Sequence, residues 1–251
     1  MPHELHGKVV IVTGGSGGIG NQIARAFAAT GAKVVITSRG LEKLEKIASQ
    51  IRAKGYTCAA IACDVTDADQ VDRLMRQVID EMGGLDVLVN CAGGALFMKP
   101  PLEISADEWR AGIAANLDNV FFCCKAAGKH MVKQHSGRII SISSVAGIKA
   151  SPAFVHYGAA KAGVINLTKS LALLWGKHNI TINCIAPGLT ATEGVAQWLP
   201  DKIREDGSPV PPLEYPPDPE HVADLTIFLA SDASKKISGE LFPIRSLTEL
   251  E

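Results

Sequence analysis

Tyr157 and Lys161 carry the clearest chemical signal in the chain, in the stretch VHYGAAKAG at residues 155–163. Four residues make about one helical turn, so on a helix the phenol and the ammonium project from the same face. A free phenol holds its proton at neutral pH, and a neighbouring ammonium stabilises the phenolate. The surrounding residues are small, which lets a ligand approach closely. The spacing predicts a phenol that exchanges a proton with a substrate, although a chance Tyr/Lys pair on a helix surface would have the same spacing.

A glycine-rich turn, TGGSGGIG at residues 13–20, follows the first apolar run and opens onto a helical pattern with Ile23 and Phe27. Gly14, Gly18 and Gly20 fit the spacing T-G-x-x-x-G-x-G. Such glycines permit a tight turn and let a pyrophosphate approach the positive end of a helix. A glycine pattern alone also fits a flexible loop. Its place between the first strand and the first helix favours dinucleotide binding.

The elements that position these motifs alternate along the chain. Short apolar runs at 9–13, 34–38, 58–63, 85–90, 138–143 and 181–186 indicate buried strands, and a last strand is expected near Pro243. Between them lie helical patterns such as Val71, Leu74, Met75 and Val78, and Val164, Leu167, Leu171 and Leu174. Alternation of strands and helices predicts an α/β fold: a Rossmann-type, doubly wound parallel sheet of about seven strands with helices on both faces.

The length of 251 residues and a hydrophobic content of 47% favour one dinucleotide-binding and catalytic domain over residues 1–251. One segment breaks the alternation: GSPVPPLEYPPDP at 207–219, whose prolines, up to Pro219, predict a loop. Too few residues follow it for a second domain. A substrate lid near 189–219 is therefore the expected role of this region.

The composition of the chain indicates which kinds of binding partner and metal site to expect. The net charge is −1 with no basic block, so neither nucleic acid nor an anionic membrane surface is expected. No apolar run is long enough for a membrane span, and the amino-terminal MPHELHGK has no cleavable apolar segment, which predicts a soluble cytoplasmic protein. The six cysteines lack a Cys-x-x-Cys pair and the seven histidines lack zinc-ligand spacing. We expect reduced thiols and no metal.

Residues after the second and third apolar runs bear on the choice of dinucleotide. Cofactors without a 2′-phosphate usually meet an acidic side chain after the second strand, and this chain has Ser38 and Arg39 there. A hydroxyl beside a guanidinium suits a phosphate, so NADP(H) is favoured over NAD(H). Asp64, after the third run, could accept a hydrogen bond from an adenine amino group. It could also cap the helix expected from about Asp67.

In their order and spacing these motifs closely resemble the short-chain dehydrogenase/reductase family, in the NADP-preferring group that includes β-ketoacyl carrier-protein reductases. The resemblance covers roughly residues 7–240. It rests on the TGGSGGIG turn, NCAG at 90–93, Asn116, the SISS run, Tyr157-x-x-x-Lys161 and PGLTAT at 187–192. In that family a serine lies thirteen residues before the tyrosine, which is Ser144 here; Ser143 is its neighbour and rival.

The resemblance implies a role for each motif. Tyr157 is the general acid or base, Ser144 holds the substrate oxygen, Lys161 binds the nicotinamide ribose and assists Tyr157, and Asn116 holds a water that links Lys161 to solvent. The backbone of Leu189 and the hydroxyl of Thr192, or of its rival Thr190, receive the nicotinamide carboxamide. The full set of implied cofactor-binding residues is Gly14, Ser16, Gly18, Ile19, Gly20, Ser38, Arg39, Asp64, Val65, Asn90, Ala92, Gly93, Tyr157, Lys161, Pro187, Gly188, Leu189, Thr190 and Thr192.

The substrate is less well defined. Residues 94–104, 145–156 and 189–217 are expected to select it, and they are mostly apolar, which favours an apolar or acyl-type carbonyl. Their apolar members are Leu96, Phe97, Met98, Ile148, Phe154, Val155, His156, Val195, Trp198, Leu199 and Tyr215.

Three functions compete. Carbonyl/alcohol interconversion is favoured by the tyrosine. Reduction of an enoyl- or dienoyl-thioester is the alternative that TEG at 192–194 suggests, and a non-catalytic dinucleotide sensor or partner subunit is the third. The resemblance implies a homo-oligomer, a tetramer or dimer. The carboxyl-terminal SGELFPIRSLTELE departs from the family pattern, with Pro243 pointing to an edge strand or a bulge.

Overall fold

The computed structural model describes residues 5–249, so predictions for residues 1–4 and 250–251 lie outside the described residues. A single parallel sheet in the order β3-β2-β1-β4-β5-β6-β7 forms the centre of the fold. Its strands are β1 Val9–Thr13, β2 Lys33–Ser38, β3 Cys58–Ala62, β4 Val87–Asn90, β5 Gly137–Ile142, β6 Ile180–Pro187 and β7 Leu241–Ile244. The seven-stranded, doubly wound sheet is confirmed, and the apolar runs lie within one or two residues of the strands.

Residues 5–249 contain seven α-helices. They are α1 Gly18–Ala29, α2 Leu41–Arg52, α3 Ala68–Met82, α4 Ala106–Ile113, α5 Asn119–Gln134, α6 Val155–Trp175 and α7 Pro219–Ala230. All of them except α4 pack on the two faces of the sheet. One core lies between the sheet and α1, α2 and α7, and the other between the sheet and α3, α5 and α6. In β1, Val10 and Val12 enter the first core while Val9 and Ile11 enter the second, as the two-residue period of a strand requires. None of the described helices is long and apolar enough to cross a bilayer.

One detail of the sequence prediction was wrong. Pro219, expected in the loop, is the first residue of α7, where a missing N–H is not needed by the helix. Leu174 belongs to a predicted helical pattern and does lie in α6, near its end, with 61% of its surface exposed. Pro243 lies in β7, which is an edge strand, as the proline predicted.

A π-helical turn, Ala114–Asp118, joins α4 to α5 and changes which side chains face inward. Such turns add a residue to the helical repeat and are frequent at functional sites. Asn116 lies in the turn and Asn119 begins α5; both are buried, at 0% and 2% exposure. The turn therefore brings two amides to the inner face of the helix pair, close to the segment that follows β4.

Candidate active site

A cleft of about 760 Å³ runs along the carboxyl ends of the strands. Its walls come from the segments that follow β1 to β6, the place where open parallel sheets bind ligands. Every predicted cofactor-binding residue except Asn90 lines it, together with Ser144, Tyr157 and Lys161. Sequence motifs separated by more than a hundred residues are thus brought to one surface.

The glycine turn is held close to the segment after β4. Gly14 has a φ of 68°, and a Cβ there would lie 2.8 Å from the Ala92 backbone nitrogen and Cα. The Thr13 hydroxyl oxygen accepts hydrogen bonds from the backbone N–H groups of Cys91 and Ala92, both at 3.1 Å. On the other side, a Cβ on Gly18 would lie 2.6 Å from Thr192 Cγ2. Glycine at 14 and 18 is therefore required by the approach of two other segments.

The segments after β2 and β3 form the far end of the cleft. Ser38 ends β2, and exposed Arg39 follows it. The Asp64 carboxylate accepts hydrogen bonds from the Thr66 N–H at 3.0 Å and its hydroxyl at 2.7 Å. Helix α3 is capped by Asp67, which accepts from the N–H groups of Asp69 and Gln70. The alternative role of Asp64 as that helix's cap is therefore wrong, since Asp67 occupies the N-cap position.

Tyr157 and Lys161 lie one turn apart on α6, with the Lys161 ammonium 5.5 Å from the Tyr157 ring centroid. Lys161 is 4% exposed, and its Nζ donates to the Ile142 carbonyl at 2.9 Å, at the end of β5. No carboxylate among residues 5–249 forms a salt bridge with it. The ammonium is thus fixed in the cleft wall with its charge directed toward the phenol.

The two serines after β5 differ in their contacts. The Ser143 hydroxyl donates to the Lys161 carbonyl at 2.8 Å, and the residue is 3% exposed. The Ser144 hydroxyl oxygen accepts from the Ala146 N–H at 3.2 Å. Ser143 therefore ties β5 to α6, whereas the Ser144 O–H is the one that can donate to a ligand.

Asn116 and Asn119 both hold the segment after β4 by hydrogen bonds, but only Asn119 lines the cleft. Asn116 accepts from the Gly94 N–H at 2.8 Å and donates to the Gly94 and Gly112 carbonyls, both at 3.0 Å. Asn119 donates to the Ala92 carbonyl at 3.1 Å and lines the cleft. The Asn116 side chain does not line the cleft; its amide fixes Gly94 beside it.

Asn90 lies beneath the cleft. It is 2% exposed and donates to the Ser141 hydroxyl oxygen at 3.2 Å and to Cys124 Sγ at 3.3 Å. Its side chain therefore links β4, β5 and α5 in the core.

Further lining residues were not identified from the sequence. They are Gly17, Thr37, Cys63, Thr66, Cys91, Ala111, Ala114, Ala115, Asn119 and Ile142. Asn119 offered a signal, as an amide in an otherwise apolar helical stretch three residues after Asn116. Burial raises the pKa of the Cys91 thiol to about 11 against the opposing effect of Lys161, so the thiol is protonated at neutral pH.

Four residues of the region 189–219 line the cleft: Leu189, Thr190, Thr192 and Val195. The Ala191 N–H donates to the Pro217 carbonyl at 2.9 Å, which closes the base of the loop. The Thr190 hydroxyl donates to the Gly188 carbonyl at 3.1 Å, so Thr192 is the threonine of the pair with its hydroxyl less engaged. Of the apolar residues expected to select the substrate, Leu96 and Val195 line the cleft.

The unusual carboxyl-terminal segment supports the same loop. The Leu247 N–H donates to the Leu213 carbonyl at 2.8 Å, and the Ser246 hydroxyl donates to the Glu214 carbonyl at 2.7 Å. The segment after β7 is thus part of the loop's foundation.

Comparisons with known proteins agree with this geometry. The family model for short chain dehydrogenases matches residues 8–203. A 3-oxoacyl-[acyl-carrier-protein] reductase of Synechocystis is 39% identical over 250 residues, covering 96% of each chain. The 3-oxoacyl-[acyl-carrier-protein] reductase FabG of Staphylococcus aureus is 39% identical over 237 residues, which cover 93% of this chain and 94% of the FabG chain.

Solved structures give the same result. A short-chain dehydrogenase/reductase from Mycobacterium ulcerans superposes with a TM-score of 0.90 at 28% identity, covering 99% of this chain and 92% of the other. An NAD⁺-bound xylitol dehydrogenase superposes with a TM-score of 0.88 at 28% identity, covering 97% and 99%. The chain therefore belongs to the short-chain dehydrogenase/reductase family and is an oxidoreductase acting on carbonyl and alcohol groups.

Proposed function

We propose that the protein reduces a ketone of the 3-oxoacyl type to a secondary alcohol with NADP(H). The observation that carries the proposal is the buried Lys161 ammonium 5.5 Å from the Tyr157 ring, in the same cleft as the glycine turn. The reductase relatives at 39% identity support the 3-oxoacyl substrate class. The mostly apolar residues at the lid end of the cleft, including Leu96 and Val195, agree with an acyl chain.

The residues of the cleft fit a dinucleotide. Gly14, Gly18 and Gly93 leave space that side chains would fill; a Cβ on Gly93 would lie 2.6 Å from Asn116 Oδ1. Backbone N–H groups at the start of α1 suit a pyrophosphate. When bound, NADPH would supply a hydride to the carbonyl carbon.

The proton chemistry belongs to the chain's own side chains. Hydride addition leaves negative charge on the substrate oxygen, which the hydroxyls of Ser144 and Tyr157 stabilise and which Tyr157 protonates. Lys161 stabilises the resulting phenolate. Ser143 and Ile142, through their bonds to Lys161, hold that residue in place.

The amides of the π-turn position the ligand without reacting. Asn116 and Asn119 together fix Ala92 and Gly94, and so set the shape of the wall beside the bound nucleotide. We place Asn116 in the proton path to Lys161 through water, as the family resemblance implies. Its side-chain bonds to Gly94 and Gly112 leave its backbone as the group that would hold that water.

NADP(H) is proposed over NAD(H) because Ser38 ends β2 and exposed Arg39 follows it, with no carboxylate at either position. A guanidinium attracts a 2′-phosphate, whereas an acid at this position would repel it. NAD(H) is the competing cofactor, and the xylitol dehydrogenase of the same fold is NAD⁺-bound. We also propose one domain with a lid at 189–219, a homo-oligomer and a cytoplasmic location.

Reduction of a carbon–carbon double bond is the second candidate, favoured by TEG at 192–194. One substrate panel distinguishes the functions by the loss of NADPH absorbance: 3-oxoacyl thioesters, simple ketones and an enoyl thioester. We expect the highest kcat/KM with a 3-oxoacyl thioester. Turnover of the enoyl thioester alone would replace the proposal by the second candidate, and NADPH binding without any turnover would indicate a sensor.

A further inference from the structure

His156, the residue before the catalytic tyrosine, is buried without a hydrogen-bonding role. It is 1% exposed, and neither ring nitrogen has a hydrogen-bond partner in the described part of the chain. Its imidazole stacks on Phe97, with ring centroids 4.0 Å apart and planes 20° apart. On another side it packs against α4, where a Cβ on Gly112 would lie 2.6 Å from His156 Cδ2. The ring is thus held between a helix and a loop by shape alone.

The loop that carries Phe97 is the wall at the substrate end of the cleft. It has no regular secondary structure from Cys91 to Pro100. Asn116 fixes it at Gly94, and the Lys99–Glu108 ion pair fixes it to α4. Between these two points Phe97 stacks on His156, and the Lys99 ammonium of the same loop lies 5.9 Å from the Phe97 ring centroid. The His156 stack is thus the contact that ties Phe97 to another element of the fold.

Leu96 is the residue whose position depends on that stack. It lines the cleft, yet it is 53% exposed, so its own packing does little to fix it. Its neighbour Phe97 is partly buried against the imidazole. Because His156 is adjacent to Tyr157 on α6, the stack connects the substrate wall directly to the helix that carries the proton donor.

We propose that His156 is a positioning residue that, by stacking on Phe97, fixes Leu96 as the wall of the acyl-chain site and so favours longer acyl substrates. The acyl-chain part of this proposal rests on the proposed function. The ring acts as a flat apolar surface and not as an acid or base. Burial lowers the pKa of the imidazole, which keeps it neutral at pH 7.

The test compares His156→Ala, Phe97→Leu, the double variant and His156→Phe. The control is His130→Ala, since His130 also has an unpartnered buried nitrogen but lies in a groove between α3 and α5. The rate of amide hydrogen exchange at residues 95–99 measures how firmly the loop is held, and it needs no substrate. Steady-state kinetics with acetoacetyl and 3-oxodecanoyl thioesters of N-acetylcysteamine measure how a loosened loop changes KM for a short and for a long acyl chain.

We expect His156→Ala and Phe97→Leu each to raise exchange in the loop, and KM for the 3-oxodecanoyl thioester, about fivefold, the size of a lost aromatic stack. The KM for the acetoacetyl thioester rises less than the KM for the 3-oxodecanoyl thioester, because a short acyl chain makes less contact with the wall than a long one. The double variant resembles the single ones, because both remove the same contact. His156→Phe, which keeps a flat ring, resembles the wild type.

Exchange in His156→Ala equal to that in His130→Ala would overturn the proposal. So would a His156→Phe variant that melts like the wild type but behaves like His156→Ala, because the ring nitrogens would then be essential. If the wild-type protein reduces neither thioester, the proposed function fails, while the exchange measurement still decides whether His156 fixes the loop.

Discussion

Replacing Lys161 by methionine removes the one ammonium that lies over the Tyr157 ring. At 5.5 Å and an effective dielectric constant of about 20, its attraction for a charge on the phenolate is about 3 kcal/mol. That free energy corresponds to a fall of about 150-fold in kcat.

The assay is NADPH oxidation at saturating cofactor and substrate, because Lys161 is also expected to contact the cofactor and weaker binding must not be mistaken for slower chemistry. Lys169→Met is the matched control: it removes an exposed lysine two turns along the same helix. Thermal melting checks that the loss of the bond to the Ile142 carbonyl leaves the fold intact. A kcat within about threefold of the wild type would refute the reasoning, because the local Coulomb interaction would then be negligible.

Three further changes test other parts of the site. Gly18→Ala should weaken NADPH binding about tenfold, because the new Cβ would overlap Thr192. Gly176→Ala is the control and should leave binding unchanged, because the space around Gly176 is open. Equal dissociation constants of NADPH for the two variants would contradict the overlap. Arg39→Gln should weaken NADPH binding about tenfold to a hundredfold, because a charge-assisted hydrogen bond to the 2′-phosphate is lost. NADH, which has no 2′-phosphate, should bind unchanged. Equal effects on both cofactors would exclude a contact between Arg39 and the 2′-phosphate. Burial holds the pKa of the folded protein's His156 below its ordinary 6.5, so the contribution of the neutral imidazole to stability is complete above pH 6.5 and declines as the pH falls toward the folded pKa. The melting temperature of His156→Phe should therefore fall less than that of the wild type over this pH range. Parallel curves of melting temperature against pH would contradict burial as the cause.

The fold was predictable because its signals are local. Runs such as VVIVT at 9–13 are short and almost entirely apolar, which is typical of a strand covered on both faces, and β1 is buried throughout. The glycine turn and the one-turn spacing of Tyr157 and Lys161 are local as well. Motifs of this kind constrain backbone geometry directly, and the structure brings them to one cleft.

What the sequence did not reveal depends on contacts between distant segments. Asn119 reaches the Ala92 carbonyl only because a π-turn rotates the start of α5, and no residue pattern announced that turn. The stack of His156 on Phe97 joins positions separated by 59 residues in numbering through the packing of α4 against α6. The family spacing predicted Ser144, but only the structure shows what its neighbour Ser143 does, which is to donate to the Lys161 carbonyl.

Replacing Tyr157 by phenylalanine tests the central claim most directly, because it removes one oxygen and leaves the ring beside Lys161. The measurement is turnover of a 3-oxoacyl thioester at saturating NADPH, together with the dissociation constant of NADPH. We expect cofactor affinity to change less than about twofold and turnover to fall about a thousandfold, the range of a lost general acid. Near-normal turnover in this variant would mean that another group donates the proton, and would contradict the account.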